Sequence, residues 1–438
     1  MRTGLPELSA TFPELTQPWE ILSTPSEWSS EELQLAWKRL LPGRSGVTAV
    51  YQTPGWFDHI ASIEWRDRVL LAVTRDRWQR IAGIAPVRLS RRTLDFHLKG
   101  RALLRLPMLK ASLVGGRPLA PDNPTAMDRL FESIAGALPD ADAIALSGVE
   151  ADSFLWRYLH SSETLNREFL VFIPEGPRPY HLLDLPATFD DYLALFNAKK
   201  RYNLNRQLKI LRQQGEGRLE LHCIDSPAGA GRFLDAQSRM EDKEDGSWGR
   251  APRGSDICHW SRSQVADMAR RGFLRSYVLT CGNDPVSMIK GIQHRSTYFA
   301  LQTLYRKEYA AFSPGACILH LAIEDLLAQR PVRRIEFGFG EPNQKHHTAN
   351  ATIAVASVLL MRKTPTNRLR AALHEAFFST IRLAKKIRDD RGRTGAQSLL
   401  RARAWHGTDG LGRRRELQRP EPWPRRCTNS AARPKRLY

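Results

Sequence analysis

Between Thr297 and Lys345 the chain reads TYFALQTLYRKEYAAFSPGACILHLAIEDLLAQRPVRRIEFGFGEPNQK, and several residue types there suit the binding of an anion. At Ser313-Pro-Gly-Ala-Cys317, a serine suited to an N-cap and a proline suited to the first helical position precede an apolar run. A helix starting there would aim backbone N–H groups at a phosphate, although a plain, well-capped strand–helix turn accounts for the same residues. Gly338-Phe-Gly340 follows a short apolar strand and is equally explained by a tight turn or bulge. Lys345 beyond it can serve as a point charge for a phosphate or anionic acceptor, or simply be solvated. Upstream, Lys199–Arg212 is a basic helical run in which Asn203 and Arg206 share a face. Such a run admits phosphate contacts on an acceptor or on RNA, and charge runs are also ordinary solvated faces. Trp248 and Arg250 lie in a Gly/Trp/Arg-rich loop able to close over a substrate.

Metal chemistry finds little support. The five cysteines, Cys223, Cys258, Cys281, Cys317 and Cys427, form no C-x-x-C pair, and adjacent His346 and His347 would point apart on a strand. No metal is expected. An odd cysteine count also argues against a disulfide framework and fits a reducing compartment.

Positioning these residues requires strands and crossover helices. Tyr298–Leu304 alternates with period 2, Ser313 opens a helix, and Arg334–Gly338 returns as a strand. In that helix Ile318, Leu321, Ile323, Leu326 and Leu327 form the apolar stripe, with His320 and Asp325 expected off it. Phe273–Thr280 and Pro285–Gly291 complete a meander leading into it. In the first half, Ser29-Ser-Glu-Glu32 has the form of a capping box, Val47–Tyr51 reads as a strand, and Pro54 starts a helix. Val69–Thr74, Arg80–Leu89, Thr93–Leu98 and Ala102–Leu106 read as strands, Met127–Leu138 as a helix and Ala143–Ser147 as a strand. Pro174–Pro179 reads as a linker. Both halves then share an outline of helix, strand meander, crossover helix and strand, without a residue-level repeat.

A chain of 438 residues with 42% hydrophobic content can bury more than one core. Its net charge of +20 is uneven: residues 362–438 hold 21 Lys+Arg against 6 Asp+Glu, and the preceding 361 hold 45 against 40. Basicity therefore belongs mainly to the end of the chain and says little about a site in the middle. The N-terminus lacks the apolar segment of a signal peptide, and no run is long enough to span a bilayer. A cytoplasmic location is expected, with peripheral contact at the inner membrane surface through a basic amphipathic helix built on Leu369, Leu373, Phe377 and Ile381. The same helix packed on its own domain is the plainer reading.

The combination of Tyr309, Ser313-Pro-Gly315, Phe337-Gly338, Gly340 and Lys345 resembles the CelD-type acyltransferases of the GNAT superfamily, relatives of the FemAB group. Phe196–Gly215 resembles that family's basic helix, and Val50-Tyr-Gln-Thr-Pro-Gly-Trp56 its first-half turn. The chain departs from the family in lacking the usual Q/R-x-x-G-x-G/A pyrophosphate loop and in placing Gln344 before the lysine. The resemblance, spanning roughly residues 30–360, implies an α/β fold of two GNAT-like lobes with mixed, mainly antiparallel sheets, followed by a basic helix and a disordered tail. The divisions expected are a loose lead-in over 1–28, lobes over 29–176 and 177–361, the helix over 362–390 and the tail over 391–438.

The implied reaction moves an acyl group, acetyl in the first instance, from CoA to an amine or hydroxyl, in polysaccharide or cell-envelope synthesis. Acyl-CoA would then sit at Ser313, Pro314, Gly315, Ala316 and Cys317. Asn203, Arg206, Trp248, Gly338, Gly340 and Lys345 would meet the acceptor, a small molecule or a glycan or lipid precursor. Acyl transfer needs a base for the nucleophile and donors for the oxyanion. Glu341, His294 and Tyr305 are the candidate bases, Glu341 first, and strand backbone N–H groups can serve the oxyanion. The alternatives are a FemAB-like transferase using aminoacyl-tRNA, and a non-catalytic, membrane-associated envelope-assembly protein.

Overall fold

The structure is a computed structural model and describes residues 17–41, 49–63, 67–98, 101–241, 247–248, 260–329, 332–339 and 348–384. One compact unit extends to Phe377, and a second begins at Phe378.

The first half opens with β1 (Glu20–Leu22), α1 (Pro25–Trp28), α2 (Glu31–Leu40) and α3 (Pro54–Ile63), then β2 (Arg68–Arg75), β3 (Ile81–Leu98) and β4 (Arg101–Leu113). It continues through α4 (Pro124–Ala137), β5 (Ala143–Glu150), α5 (Phe154–Ser161), α6 (Glu163–Glu168) and β6 (Phe169–Phe172). The second half contains β7 (Arg178–Asp184), α7 (Phe189–Ala194), α8 (Ala198–Gln214), β8 (Leu219–Ile224), α9 (Ala230–Glu241), β9 (Ser247–Trp248) and α10 (Arg262–Arg270). The meander β10 (Ser276–Cys281), β11 (Asp284–His294) and β12 (Thr297–Tyr305) follows, then α11 (Pro314–Gln329), β13 (Arg334–Phe339) and β14 (Ala351–Arg362). A helix over 365–384 closes the described chain.

Both halves repeat one device: an antiparallel meander, a crossover helix, and a strand returning parallel. β4 pairs in parallel with β5 after α4, as β12 does with β13 after α11. The strands form one sheet in the order β1-β2-β3-β4-β5-β14-β7-β13-β12-β11-β10-β8. β14, late in the sequence, lies between β5 of the first half and β7 of the second, antiparallel to both. This mixed, mainly antiparallel sheet agrees with the fold class expected above.

Cores form on both faces because the strands are buried on both. In the first half, α4, α5 and α6 cover Ala72, Ala85, Val87, Ile144 and Leu146. The opposite face packs Leu71, Val73 and Ile84 against Trp37 of α2 and Phe57 of α3. In the second half, Leu204 and Leu211 of α8 and the apolar side of α11 lie with Tyr277, Ile289, Tyr298 and Ile335. α9 and α10 cover the other face, including Met288, Ile292, Phe299 and Leu304.

Four local expectations are corrected. Residues 49–52 form a 3-10 helix rather than strand, since Trp37 Nε1 donates to Gln52 O at 2.7 Å and fixes the turn inside the core. Ser30, not Ser29, caps α2, and the capping box belongs to Thr24 and Glu27 of α1. The linker expected at 174–179 ends early, because Arg178 and Pro179 already pair with Val355 and Ala354 of β14. In α11, His320 and Asp325 are both engaged by the protein: His320 is buried against Tyr192 and Phe196, and the half-buried Asp325 accepts from Arg275 and Tyr277. A helix covered on one side by the sheet and on another by α7 and α8 has little solvated face left. Of the basic helix expected over 362–390, residues 365–384 are helical; the tail over 391–438 lies outside the described residues.

Candidate active site

β12 and β13 pair over only three positions, Thr297–Arg334, Tyr298–Ile335 and Phe299–Glu336. Past that point β13 turns away, with a register shift against β7 between Glu336 and Gly338, and Gly338 at φ +70°. A left-handed conformation favours glycine there. β12 is also irregular: Lys290 stands opposite Gln302 and Gly291 opposite Ala300, so Leu301 is an extra, unmatched residue. Bulges re-aim the groups around them and interrupt pairing. Parallel strands that separate beside a bulge leave a wedge lined by main chain, with β9 pairing at Thr303 and Leu304 further along.

Glu336 sits at the apex of that wedge. Its side chain is buried, 4% exposed, and burial pushes the carboxyl up to about 7. A hydrogen bond from Tyr180 Oη to Oε2 at 2.9 Å and the Arg334 charge oppose that rise, and Glu150 adds to it. Tyr180 and Tyr51 are held well above the ordinary phenol range, mainly by burial, with the Glu336 charge contributing. The cluster draws on distant parts of the chain: Tyr51 from the first-half turn, Glu150 from the end of β5, Tyr180 from β7. Tyr51 packs its ring 5.0 Å from Trp56 and 6.1 Å from Phe299, which fixes the Tyr51–Trp56 turn against the second half. His59 Nδ1 and Asp267 Oδ2, 2.7 Å apart, join α3 to α10 nearby. A carboxyl near 7 in a buried site can take a proton at neutral pH, as a general base must.

The residues expected from sequence distribute unevenly around this cluster. His294, at the end of β11, shares the sheet face of Ile292 and lies 6.4 Å ring to ring from Phe273; burial, then Arg295, lowers its pKa. Tyr305 ends β12, eight residues from the Thr297 that pairs with His294. At about 3.3 Å per residue that is roughly 26 Å, so His294 and Tyr305 cannot serve one reacting atom. Glu341, Gly340 and Lys345, and the histidines at 346 and 347, lie outside the described residues. Trp248 is placed by its main chain opposite Thr303. Asn203 is half-buried and Arg206 exposed on α8, in the layer across the sheet from Tyr51 and Phe299.

The start of α11 is less open than its sequence suggests. Ser313 is left-handed at φ +51°, and its hydroxyl accepts from Gln207 Nε2 of α8 at 3.0 Å. Ala316 and Cys317 both donate their N–H groups to Ser313 O, at 2.9 and 3.1 Å. Pro314 has no N–H, so Gly315 carries the first-turn donor left for an anion. Cys317 is fully buried and its thiol is pushed up to about 12 by burial, which makes it a core residue rather than a nucleophile.

Two polar residues beside the wedge escaped the sequence reading. Glu336 looks in RRIEFGF like the outward member of an alternating strand. Lys290 is fully buried, opposite Gln302, whose Oε1 has no hydrogen-bond partner. A lysine and a glutamate inside apolar strands are the one signal that could have marked them. Among the described residues no group of His, Cys, Asp and Glu is arranged to hold a metal ion, and no helix is long and apolar enough to cross a membrane.

A meander, a crossover helix and a returning parallel strand, present twice, define a protein of two GNAT-like lobes. Residues 198–346 match the family model for the acetyltransferase (GNAT) domain, which covers the second lobe's wedge and helix. Among solved structures, that of FemX is similar over 80% of this chain and 100% of its own, at 10% identity and a TM-score of 0.50, a likeness of fold. A tandem GNAT protein from the clavulanic acid biosynthesis pathway matches 78% of this chain and 98% of its own at 13% identity and TM-score 0.45. L-PGS from Bacillus licheniformis matches 77% and 96% at 11% identity and TM-score 0.44. The domain match identifies residues 198–346 as a GNAT domain, and none of these comparisons distinguishes the CelD type. No curated protein sequence matches the chain.

Proposed function

We propose that this protein transfers an acyl group from coenzyme A to an amine or hydroxyl acceptor, a sugar, lipid or peptidoglycan-type precursor of polysaccharide or envelope synthesis. The observation that carries the reading is the Glu336 carboxyl, buried and held near 7 where β12 and β13 part. In this scheme Glu336 accepts the proton of the acceptor's N–H or O–H as the nucleophile attacks the thioester carbonyl. Main-chain N–H groups around Leu301 are the donors available to the resulting oxyanion. Collapse breaks the C–S bond, and the departing thiolate recovers a proton from the protonated Glu336 or from water. The GNAT-domain match over 198–346 supports acyl-CoA as donor. Gly315 N–H would meet a phosphate of that donor, a smaller cradle than an open helix start.

A second reading takes the acyl group from aminoacyl-tRNA, and α8 motivates it: Lys199, Arg201, Arg206, Lys209 and Arg212 are charged along one helix. Calorimetry with acetyl-CoA and CoA, beside RNA binding measured across salt concentrations, separates the two. Saturable CoA binding with weak, non-saturating RNA binding supports the first reading. No CoA binding together with a steep loss of RNA affinity in salt would overturn it in favour of the second.

A further inference from the structure

The first half holds a polar basin unrelated to packing. On one face of the sheet, Leu94, Met108, Ala143, Ala145, Leu359 and Met361 form a small core under Phe172, Ala371 and Phe377. Further along the same face the floor becomes serine: Ser147 of β5 stands opposite Ser357 of β14, and Ser112 of β4 opposite Ala145. Strand residues meant to meet a helix are apolar, so two hydroxyls abreast with a third diagonal to them mark a surface meant for water or ligand. The walls are cationic. Arg91, Arg92, Arg105 and Lys110 rise from β3 and β4, and Arg178 from the start of β7, against Asp95 and Glu175, around a basin of about 740 Å³. That volume lies within the usual range for a small-molecule site, roughly 300–1,000 Å³. Part of the charge is answered internally. Arg178 pairs with Glu175, Arg92 lies 3.6 Å from Asp67, and Lys110 Nζ donates to Thr93 O at 2.8 Å. The lining still holds five cations to two carboxylates, with His97 beside them. One carboxylate oxygen, Asp95 Oδ1, is buried without a hydrogen-bond partner and can accept from a ligand's hydroxyl or amine.

Side-chain contacts along one sheet face link the basin's edge at Arg178 to the Glu336 cluster. The Arg178 guanidinium lies 4.4 Å over the Phe339 ring, and that ring meets Tyr180 edge-on at 5.3 Å. Arg178 and Tyr180 are two apart on β7 and share its face, and Tyr180 donates to Glu336. We propose that this basin binds the phosphate of a hydroxyl-bearing small molecule. The Arg105, Lys110 and Arg92 side takes the anion, and the remainder of the ligand runs past Arg178 toward Glu336. That this ligand is the acyl acceptor rests on the reading of Glu336 as base; the phosphate site itself does not.

The test titrates inorganic pyrophosphate and glucose 1-phosphate into the full chain by calorimetry, with Arg105→Glu plus Lys110→Gln and, separately, Glu336→Gln, each checked for folding by its urea midpoint. Saturable binding that weakens tenfold or more in the basin variant and persists in Glu336→Gln is expected. Binding absent from the wild type, or unchanged in a folded basin variant, would overturn the site. Single Arg105→Glu, at an exposed position, keeps the test open should the double variant not fold. If Glu336→Gln retains acyl transfer, the base assignment fails while the phosphate readout still decides the basin. Competition by phosphatidylglycerol vesicles stronger than by glucose 1-phosphate would identify the phosphate as lipid-borne, and the reverse order as soluble.

Discussion

The Tyr180 hydroxyl donates a 2.9 Å hydrogen bond to the Glu336 carboxylate, tying β7 to β13 where β13 leaves its parallel partner. The bond favours the ionised carboxylate while burial disfavours it, and burial wins, leaving Glu336 near 7 rather than in the ordinary range. The site therefore stores an unfavourable charge, and activity and stability should respond to it in opposite senses.

Glu336→Gln should lower kcat for acyl transfer by about 10²–10⁴, the usual contribution of a general base, with little change in affinity for the acyl donor. Wild-type activity should rise with pH through about 7, as the carboxyl ionises, and the variant should lose that limb. Stability should move the other way. The folded pKa lies above the unfolded one, so between 4.5 and 7 the folded state holds the extra proton and wild-type stability falls as pH rises. The neutral amide escapes that loss, worth on the order of 3 kcal/mol above pH 7. Urea midpoints for wild type and variant should coincide near pH 4.5 and diverge, the variant higher, at pH 8.

Tyr180→Phe keeps the ring against Phe339 and removes only the donor to Glu336. Without it the carboxyl should rise further, and the activity limb should shift toward alkaline pH while its plateau survives at high pH. The stability cost should be about 1 kcal/mol. A pH–rate profile unchanged from wild type would show that the phenol does not tune the base.

How much of this was readable in advance depends on the distance over which each feature is determined. The meander ending at Tyr298–Leu304, the helix from Pro314 and the returning strand at Arg334 were legible because alternation, capping types and apolar stripes are local. Glu336 was not, since its burial comes from Tyr180, 156 positions earlier, and from Tyr51 in the other lobe. The insertion of β14 between β5 and β7 was hidden for the same reason: an apolar strand does not name its neighbours. Ser313 shows a subtler failure. Its residue type suits an N-cap, but the preceding 3-10 turn, Lys307–Phe312, holds it left-handed and turns its hydroxyl to Gln207.

His320 makes a prediction about acid stability. It is buried between Tyr192 and Phe196, and burial, with Lys200 adding to it, lowers its pKa to about 4. The unfolded chain takes up its proton near 6.5, so below that pH unfolding absorbs a proton and folding stability declines until about 4. The loss should amount to on the order of 3 kcal/mol. His320→Leu should flatten this part of the curve, with the drop in urea midpoint from pH 7 to pH 5 visibly smaller than in wild type. An equal drop would place the acid sensitivity elsewhere.

The heaviest structural penalty should come from Asp325. Its Oδ2 accepts from Arg275 Nη2 at 2.5 Å and from Tyr277 Oη at 2.8 Å, fastening α11 to β10 beneath the second-lobe sheet. The Arg275 side chain is only 2% exposed, and its remaining carboxylate partner, Asp225, is 3.8 Å away. Removing one partner of a buried pair costs about 3–5 kcal/mol because the other charge is left in a medium that cannot solvate it. Asp325→Ala should therefore lose that much by urea denaturation. Asp325→Asn keeps an oxygen to accept from both donors and gives up the ionic attraction alone, so it should lose distinctly less. The paired substitution Arg275→Met with Asp325→Leu strands no charge and should recover most of the loss. Failure of the pair to recover would mean that the hydrogen bonds to Tyr277, rather than the stranded guanidinium, set the cost.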